Sequence, residues 1–252
     1  MHRRGADGWV TEPVPGTEGV QWMFALPTQG ELVLGAKGPG ATISRLAGGV
    51  LQPLRPAGWI MSLVAWDVDG DGDQDVIFSD RKGPRSEVGW LERPSDPAGE
   101  WPCHTIGASG AEVMFLSVAP GRVVAPLRGG RLVELCATDD VRAPWREAPL
   151  PWPGQVAGAP TGAPKAARLG DLDGDGDLDL ALTAGLANGE RTGVFGLRRG
   201  PEGWSPFPIG GAAGSKFDRI ELLDLDGDGD LDLLTTEERD GLGVVWYENP
   251  AR

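Results

Sequence analysis

Three segments of this 252-residue chain crowd five aspartates into nine residues: DVDGDGDQD from Asp67, DLDGDGDLD from Asp171, and the same string from Asp224. Carboxylates this close repel one another, at a cost on the order of several kcal/mol where the dielectric is low. Three copies at one spacing therefore call for a local counter-charge. Alternate Asp side chains around a tight turn are hard oxygen donors, a set that suits Ca2+ better than Zn2+ or Cu2+. In the first loop the side chains at positions 1, 3, 5 and 9 are Asp67, Asp69, Asp71 and Asp75. Asp73 at position 7 offers its backbone carbonyl, and Gly72 at position 6 permits the turn. The second set is Asp171, Asp173, Asp175 and Asp179, with Asp177 at position 7 and Gly176 at position 6. The third is Asp224, Asp226, Asp228 and Asp232, with Asp230 and Gly229. The expected cofactor is Ca2+ in about three structural sites, each tying a long loop and neutralising its charge.

The elements around these loops exclude an EF-hand. That motif needs a Glu at position 12 and a helix on each side, whereas position 12 here is Phe78, Leu182 or Thr235. The flanks (WIMSLVAWD, VIFSD, LALTA, RIELLD, LLTTE) are short apolar runs bounded by turns, the pattern of strands. Each loop thus joins two antiparallel strands.

The same unit recurs without its acids. The first Asp of each loop falls at 67, 171 and 224, so the first gap is about twice the second, and FLSVAPGRVVAPLRGGRLVEL from Phe115 fills it. A further degenerate copy starts at Met23. Later parts of the unit repeat too: VGWLERP, VFGLRRGP and VVWYENP, then Trp-led strands at Trp101, Trp145 and Trp204, with Leu51 standing for the Trp in the first copy. The last copy stops before its Trp-led strand, and GADGWVTEPVPG at Trp9 has that missing pattern. Four strands at a period of roughly 50 residues indicate a β-propeller. The expectation is an all-β fold of five four-stranded blades in one domain, with residues 1–15 closing the last blade. The successive units are expected at about 17–58, 59–106, 107–153, 160–210 and 211–252.

The chain resembles the FG-GAP/VCBS repeat family, the propeller repeats also found in integrin alpha subunits. The three DxDxDGxxD loops and the WYENP and GWLERP ends carry the resemblance. It implies the propeller fold and Ca2+ in the loops, and no metal in the units at Met23 and Phe115. The family's functions include adhesion, glycan binding and, in some members, catalysis, and fold alone does not choose among them.

In a four-stranded blade the Asp loops lie on one face of the ring, and the loops joining strands two and three lie on the other. Those opposite loops are polar and Gly-rich, and they present Arg81, Lys82, Arg85, Asn188, Glu190, Arg191, Glu238, Arg239 and Asp240 as candidate ligand contacts. Trp22, Trp59, Met61, Met114 and Lys165 are placed to line a central funnel or to pack between blades. No GxSxG, HExxH, Walker or dinucleotide motif occurs, and the two His, His2 and His104, have no nucleophile motif beside them. The expected function is a calcium-stabilised module binding a glycan or protein ligand. The alternative is a propeller enzyme, a polysaccharide lyase or glycoside hydrolase, since a catalytic carboxylate pair can come from distant positions.

The loops hold 15 of the 37 acidic residues; the other 22 nearly balance 23 Lys and Arg, so the net charge of −14 is a property of three loops. That charge argues against binding nucleic acid or anionic membrane. No apolar run is long enough for membrane insertion. A monomer is expected. Cys103 and Cys136 cannot form a disulfide framework and are expected as a neighbouring pair or as free thiols. Weakly held Ca2+ favours an extracytoplasmic site, although the opening MHRRGADGW has no apolar segment of a secretory signal.

Overall fold

The computed structural model describes residues 2–5, 8–11 and 13–250. It is a five-bladed β-propeller, with no helix among the described residues. Two short strands, β1 (His2–Gly5) and β2 (Gly8–Thr11), precede the blades. Blade one is β3 (Gln21–Thr28), β4 (Glu31–Lys37), β5 (Thr42–Ala47) and β6 (Val50–Pro56). Blade two is β7 (Ile60–Trp66), β8 (Asp75–Asp80), β9 (Glu87–Leu91) and β10 (Cys103–Gly107). Blade three is β11 (Ser117–Ala119), β12 (Arg122–Leu127), β13 (Arg131–Cys136) and β14 (Arg146–Leu150). A ribbon of β15 (Gln155–Val156) and β16 (Ala159–Pro160) leads to blade four, which is β17 (Ala163–Gly170), β18 (Asp179–Gly185), β19 (Val194–Gly200) and β20 (Gly203–Pro208). Blade five is β21 (Phe217–Leu223), β22 (Asp232–Glu237) and β23 (Gly243–Tyr247). Every blade is an antiparallel meander in chain order.

Burial within a blade explains the sequence pattern. The second strand has neighbouring blades on both faces, so β8 is buried at every residue and β18 at all but its last. Such strands read as unbroken apolar runs. The outer strands β14 and β20 alternate between half-buried and exposed positions, as one solvated face requires. Trp101 and Trp145 are buried just before their outer strands, and each indole N–H donates to a carbonyl four residues back (Pro97 and Val141, both at 3.0 Å).

Hydroxyl groups tie the inner strands of adjacent blades. Ser62 Oγ accepts from the Leu116 N–H at 3.0 Å, and Ser117 Oγ accepts from the Leu169 N–H at 2.9 Å. Ser79 donates to the Met114 carbonyl at 3.0 Å, and Thr183 to the Asp218 carbonyl at 2.6 Å. At the axis Met61, Met114, Phe115, Ala166 and Ile220 pack together, with Phe24 against them, so all five blades meet in one apolar plug. Blade five meets blade one where the Arg219 guanidinium lies 6.0 Å from the Phe24 ring centre.

The N-terminal strand departs from the expected closure. β2, which carries Trp9, pairs with β1, and β23 has no fourth strand beside it among the described residues. The physical reason is proximity along the chain. A hairpin closes a very short loop, whereas pairing with β23 must close one of more than two hundred residues. Residues 1, 6, 7 and 12 of the expected closing segment lie outside the described residues. Cys103 and Cys136 are both free thiols.

Candidate functional sites: the aspartate loops and the central funnel

The three acidic loops fold alike, contact for contact. The first Asp accepts two backbone N–H groups: Asp67 from Gly70 at 2.8 Å and Gly72 at 3.1 Å, and Asp171 and Asp224 from their equivalents. The third accepts from the fifth, and the fifth from the seventh, as with Asp69 to Asp71 and Asp71 to Asp73. Gly70 and Gly72 sit at φ of 80° and 96°, the left-handed region where a Cβ is strained.

The ninth position does something the spacing did not disclose. Asp75, Asp179 and Asp232 are each 1% exposed. One oxygen of each accepts from the second residue of the loop (Val68, Leu172 or Leu225). The other accepts from the backbone just beyond the blade's third strand (Arg93 or Asn249) or at its end (Arg199), at 2.8 Å in all three cases. This aspartate staples the loop to its own sheet. Burial pushes Asp75 up to about 7, against the two N–H groups that favour its charge. Burial raises Asp179 likewise.

Three carboxylates in each loop bring one oxygen apiece within 4.8 Å of each other: Asp67, Asp69 and Asp71; Asp171, Asp173 and Asp179; Asp224, Asp226 and Asp228. A cluster of hard oxygens around a glycine turn fits Ca2+ in donor type and spacing. Two loops have a cation at the third position: Arg142 reaches Asp69 at 2.6 Å, and Arg198 reaches Asp173 at 2.8 Å.

The opposite face holds a cavity of about 560 Å3 at the ring axis, lined from all five blades. Trp59, Met61, Met114 and Lys165 border it, Met61 and Met114 being also packed into the axial plug, while Trp22 turns away and donates its indole N–H to the Thr17 carbonyl at 2.9 Å. Of the expected ligand-face residues, Arg81, Glu238 and Arg239 line the cavity, and Lys82 stands at its rim over the Trp59 ring. Arg85 lies in a separate depression with Arg55, Glu87 and Cys103. Asn188, Glu190 and Arg191 are exposed and form no part of the funnel lining. Asp240 donates its N–H to the Glu237 carboxylate at 2.7 Å.

The sequence reading missed Lys37, Arg128, Lys216 and Asp218, which also line the cavity. A blade alignment could have found Asp218. It is the second residue of strand one of its blade, as Trp59 and Lys165 lie near the start of theirs, and those starts converge on the axis. Asp218 and Glu238 share Lys165, whose ammonium lies 2.9 Å from the first and 4.0 Å from the second. Burial, then the neighbouring Glu238 carboxyl, pushes Asp218 up to about 6. The neighbouring Asp218 carboxyl, aided by Lys216, holds Glu238 below the usual carboxylate range. The pair therefore sets one carboxyl whose charge is disfavoured beside one whose charge is favoured.

Two further acids were read only as strand ends. Asp80, fully buried, accepts from Gly58 and Trp59 N–H and from Arg55 at 3.2 Å. Glu237 occupies the same place in blade five and accepts from Ser215, Lys216, Arg239 and Asp240 N–H. Both hold the turn that delivers strand one to the funnel.

No family model matches the chain, and no curated protein matches its sequence. Among solved structures, it is similar to a gluconolactonase from Xanthomonas campestris, at 15% identity and a TM-score of 0.55, over 89% of this chain and 70% of that one. At this identity the likeness concerns the propeller fold.

Proposed function

We propose that this protein is a calcium-stabilised propeller of the FG-GAP/VCBS type that binds a glycan or protein segment in its central funnel. The single observation that carries the reading is the contrast in construction. The Asp loops repeat one contact set three times, whereas the funnel takes different residues from each blade. Repeated contacts serve a scaffold; an irregular concave lining of this volume is where a ligand is selected. Asp67, Asp69 and Asp71, with their counterparts, would hold Ca2+, whose positive charge offsets the loop carboxylates.

The test is binding of a glycan panel to the full chain, with and without a side chain that fills the funnel. Retention lost in Met23→Trp, at unchanged melting temperature, supports the reading. Retention unchanged in that variant, at unchanged melting temperature, contradicts it.

One observation favours a second reading, hydrolysis in the same funnel: the Asp218–Glu238 pair beside Lys165. Ionised Glu238 would take a proton from an attacking water, protonated Asp218 would supply one to the leaving oxygen, and Lys165 would stabilise developing negative charge. The gluconolactonase shares the fold and makes sugar lactones sensible first substrates, followed by glycosides. Turnover abolished by Glu238→Gln would establish this reading; ligand retention without turnover would dismiss it.

A further inference from the structure

The funnel is basic although the chain is acidic overall. Six of its lining residues are Lys or Arg and two are Asp or Glu, in a chain of net charge −14. Ion pairs absorb part of this. Lys165 pairs with Asp218, Lys216 with Glu238, and Arg81 and Arg128 both with Glu112 at 3.1 Å. No acidic partner stands beside Lys37 or Lys82 among the described residues.

Those two lysines and Arg81 converge on one ring. The Lys37 ammonium lies 4.6 Å from the Trp59 ring centre, the Arg81 guanidinium 4.6 Å, and the Lys82 ammonium 5.1 Å. The backbone builds this arrangement. Lys37 and Trp59 form an antiparallel bridge, and the Arg81 N–H donates to the Trp59 carbonyl at 2.8 Å. A Cβ on Gly58 would lie 1.6 Å from the Lys82 carbonyl oxygen, so only glycine allows the two segments to close. The ring face attracts each cation through its quadrupole without neutralising it. Glu112 offsets Arg81, while the two lysines at this ring keep their charge, which an anion entering the funnel would offset.

We infer that the funnel takes a small anionic ligand of about monosaccharide size, whose carboxylate or phosphate sits among Lys37, Arg81 and Lys82 at Trp59. This rests on the funnel being the ligand site. A volume of about 560 Å3 suits a small molecule. Met23, Met61 and Phe115 give it an apolar wall for the ligand's ring.

The experiment is calorimetric titration of the Ca2+-loaded full chain with glucuronate, glucose 6-phosphate and glucose. Either acid should bind while glucose does not, and the tighter acid identifies the group. Lys37→Gln with Lys82→Gln should weaken the acid roughly 10–100-fold and flatten its salt dependence, at unchanged melting temperature. An acid that binds the double variant as well as the parent overturns the inference. So does binding of neither acid. Should glucose or a neutral glycan bind parent and double variant alike, and lose binding in Met23→Trp at unchanged melting temperature, the funnel reading stands and the anionic anchor falls.

Discussion

The two faces of this ring are built by opposite rules. On the Asp face, blades two, four and five make the same hydrogen bonds at the same positions, down to a buried ninth carboxylate bridging Val68 and Arg93, Leu172 and Arg199, or Leu225 and Asn249. On the funnel face no two blades contribute the same set: Lys37 from one, Trp59 and Arg81 from the next, Lys165 from the fourth, Asp218 and Glu238 from the fifth. Repetition marks what these three blades share as structure. Its absence marks what the whole ring does once.

That contrast can be broken by substitution. Asp179→Ala strips two buried N–H groups of their acceptor and is expected to cost about 2–4 kcal/mol in urea unfolding. Arg239→Ala on the funnel should cost under about 0.5 kcal/mol. Equal losses would erase the distinction between scaffold face and ligand face. Gly58→Ala is the informative exception on the funnel side. Its Cβ meets the Lys82 carbonyl oxygen, so the backbone must shift, at about 1–3 kcal/mol, and the cation cluster should open with it.

A smaller effect is a pH dependence to which both faces contribute, Asp75 on the Asp face and Asp218 in the funnel. Asp218 is pushed up to about 6 in the folded chain, so the native state holds a proton there that the unfolded chain has released. Its contribution to stability is present below the unfolded value near 4 and is lost as pH rises through about 6. Asp218→Asn should flatten the stability profile between those limits. A parallel profile would show that the pair does not titrate as its surroundings dictate. Smallest of all, deleting residues 1–12 should leave the unfolding midpoint nearly unchanged, because β2 pairs with β1 rather than with β23. A large loss would show that the Trp9 strand completes blade five after all.

How far the sequence reached differs between the faces for the same reason. Five Asp in nine residues state a chemical need within one short string, and three copies fix its period, so the blades and loops could be read directly. The role of Asp75 could not, because its second partner, Arg93, lies on the far side of two strands. The funnel was legible only in part. Arg81 and Glu238 followed from topology, which assigns the strand two to three loops to that face. Lys37 and Asp218 come from blades and strand ends with no shared motif, and only the closed ring brings them together. The Trp9 pattern was real as a repeat, yet pattern does not fix pairing when a nearer partner exists.

The most direct measurement is a Ca2+ titration of the chelated full chain, read by calorimetry and by melting temperature together. Three equivalent sites should fill. The melting temperature should rise with occupancy, each site contributing about 2.7 kcal/mol at a hundredfold excess over its Kd. Absence of binding heat with an unmoved melting temperature would contradict the account at its base, since the loops would then be acidic turns and not the calcium scaffold on which the funnel is built.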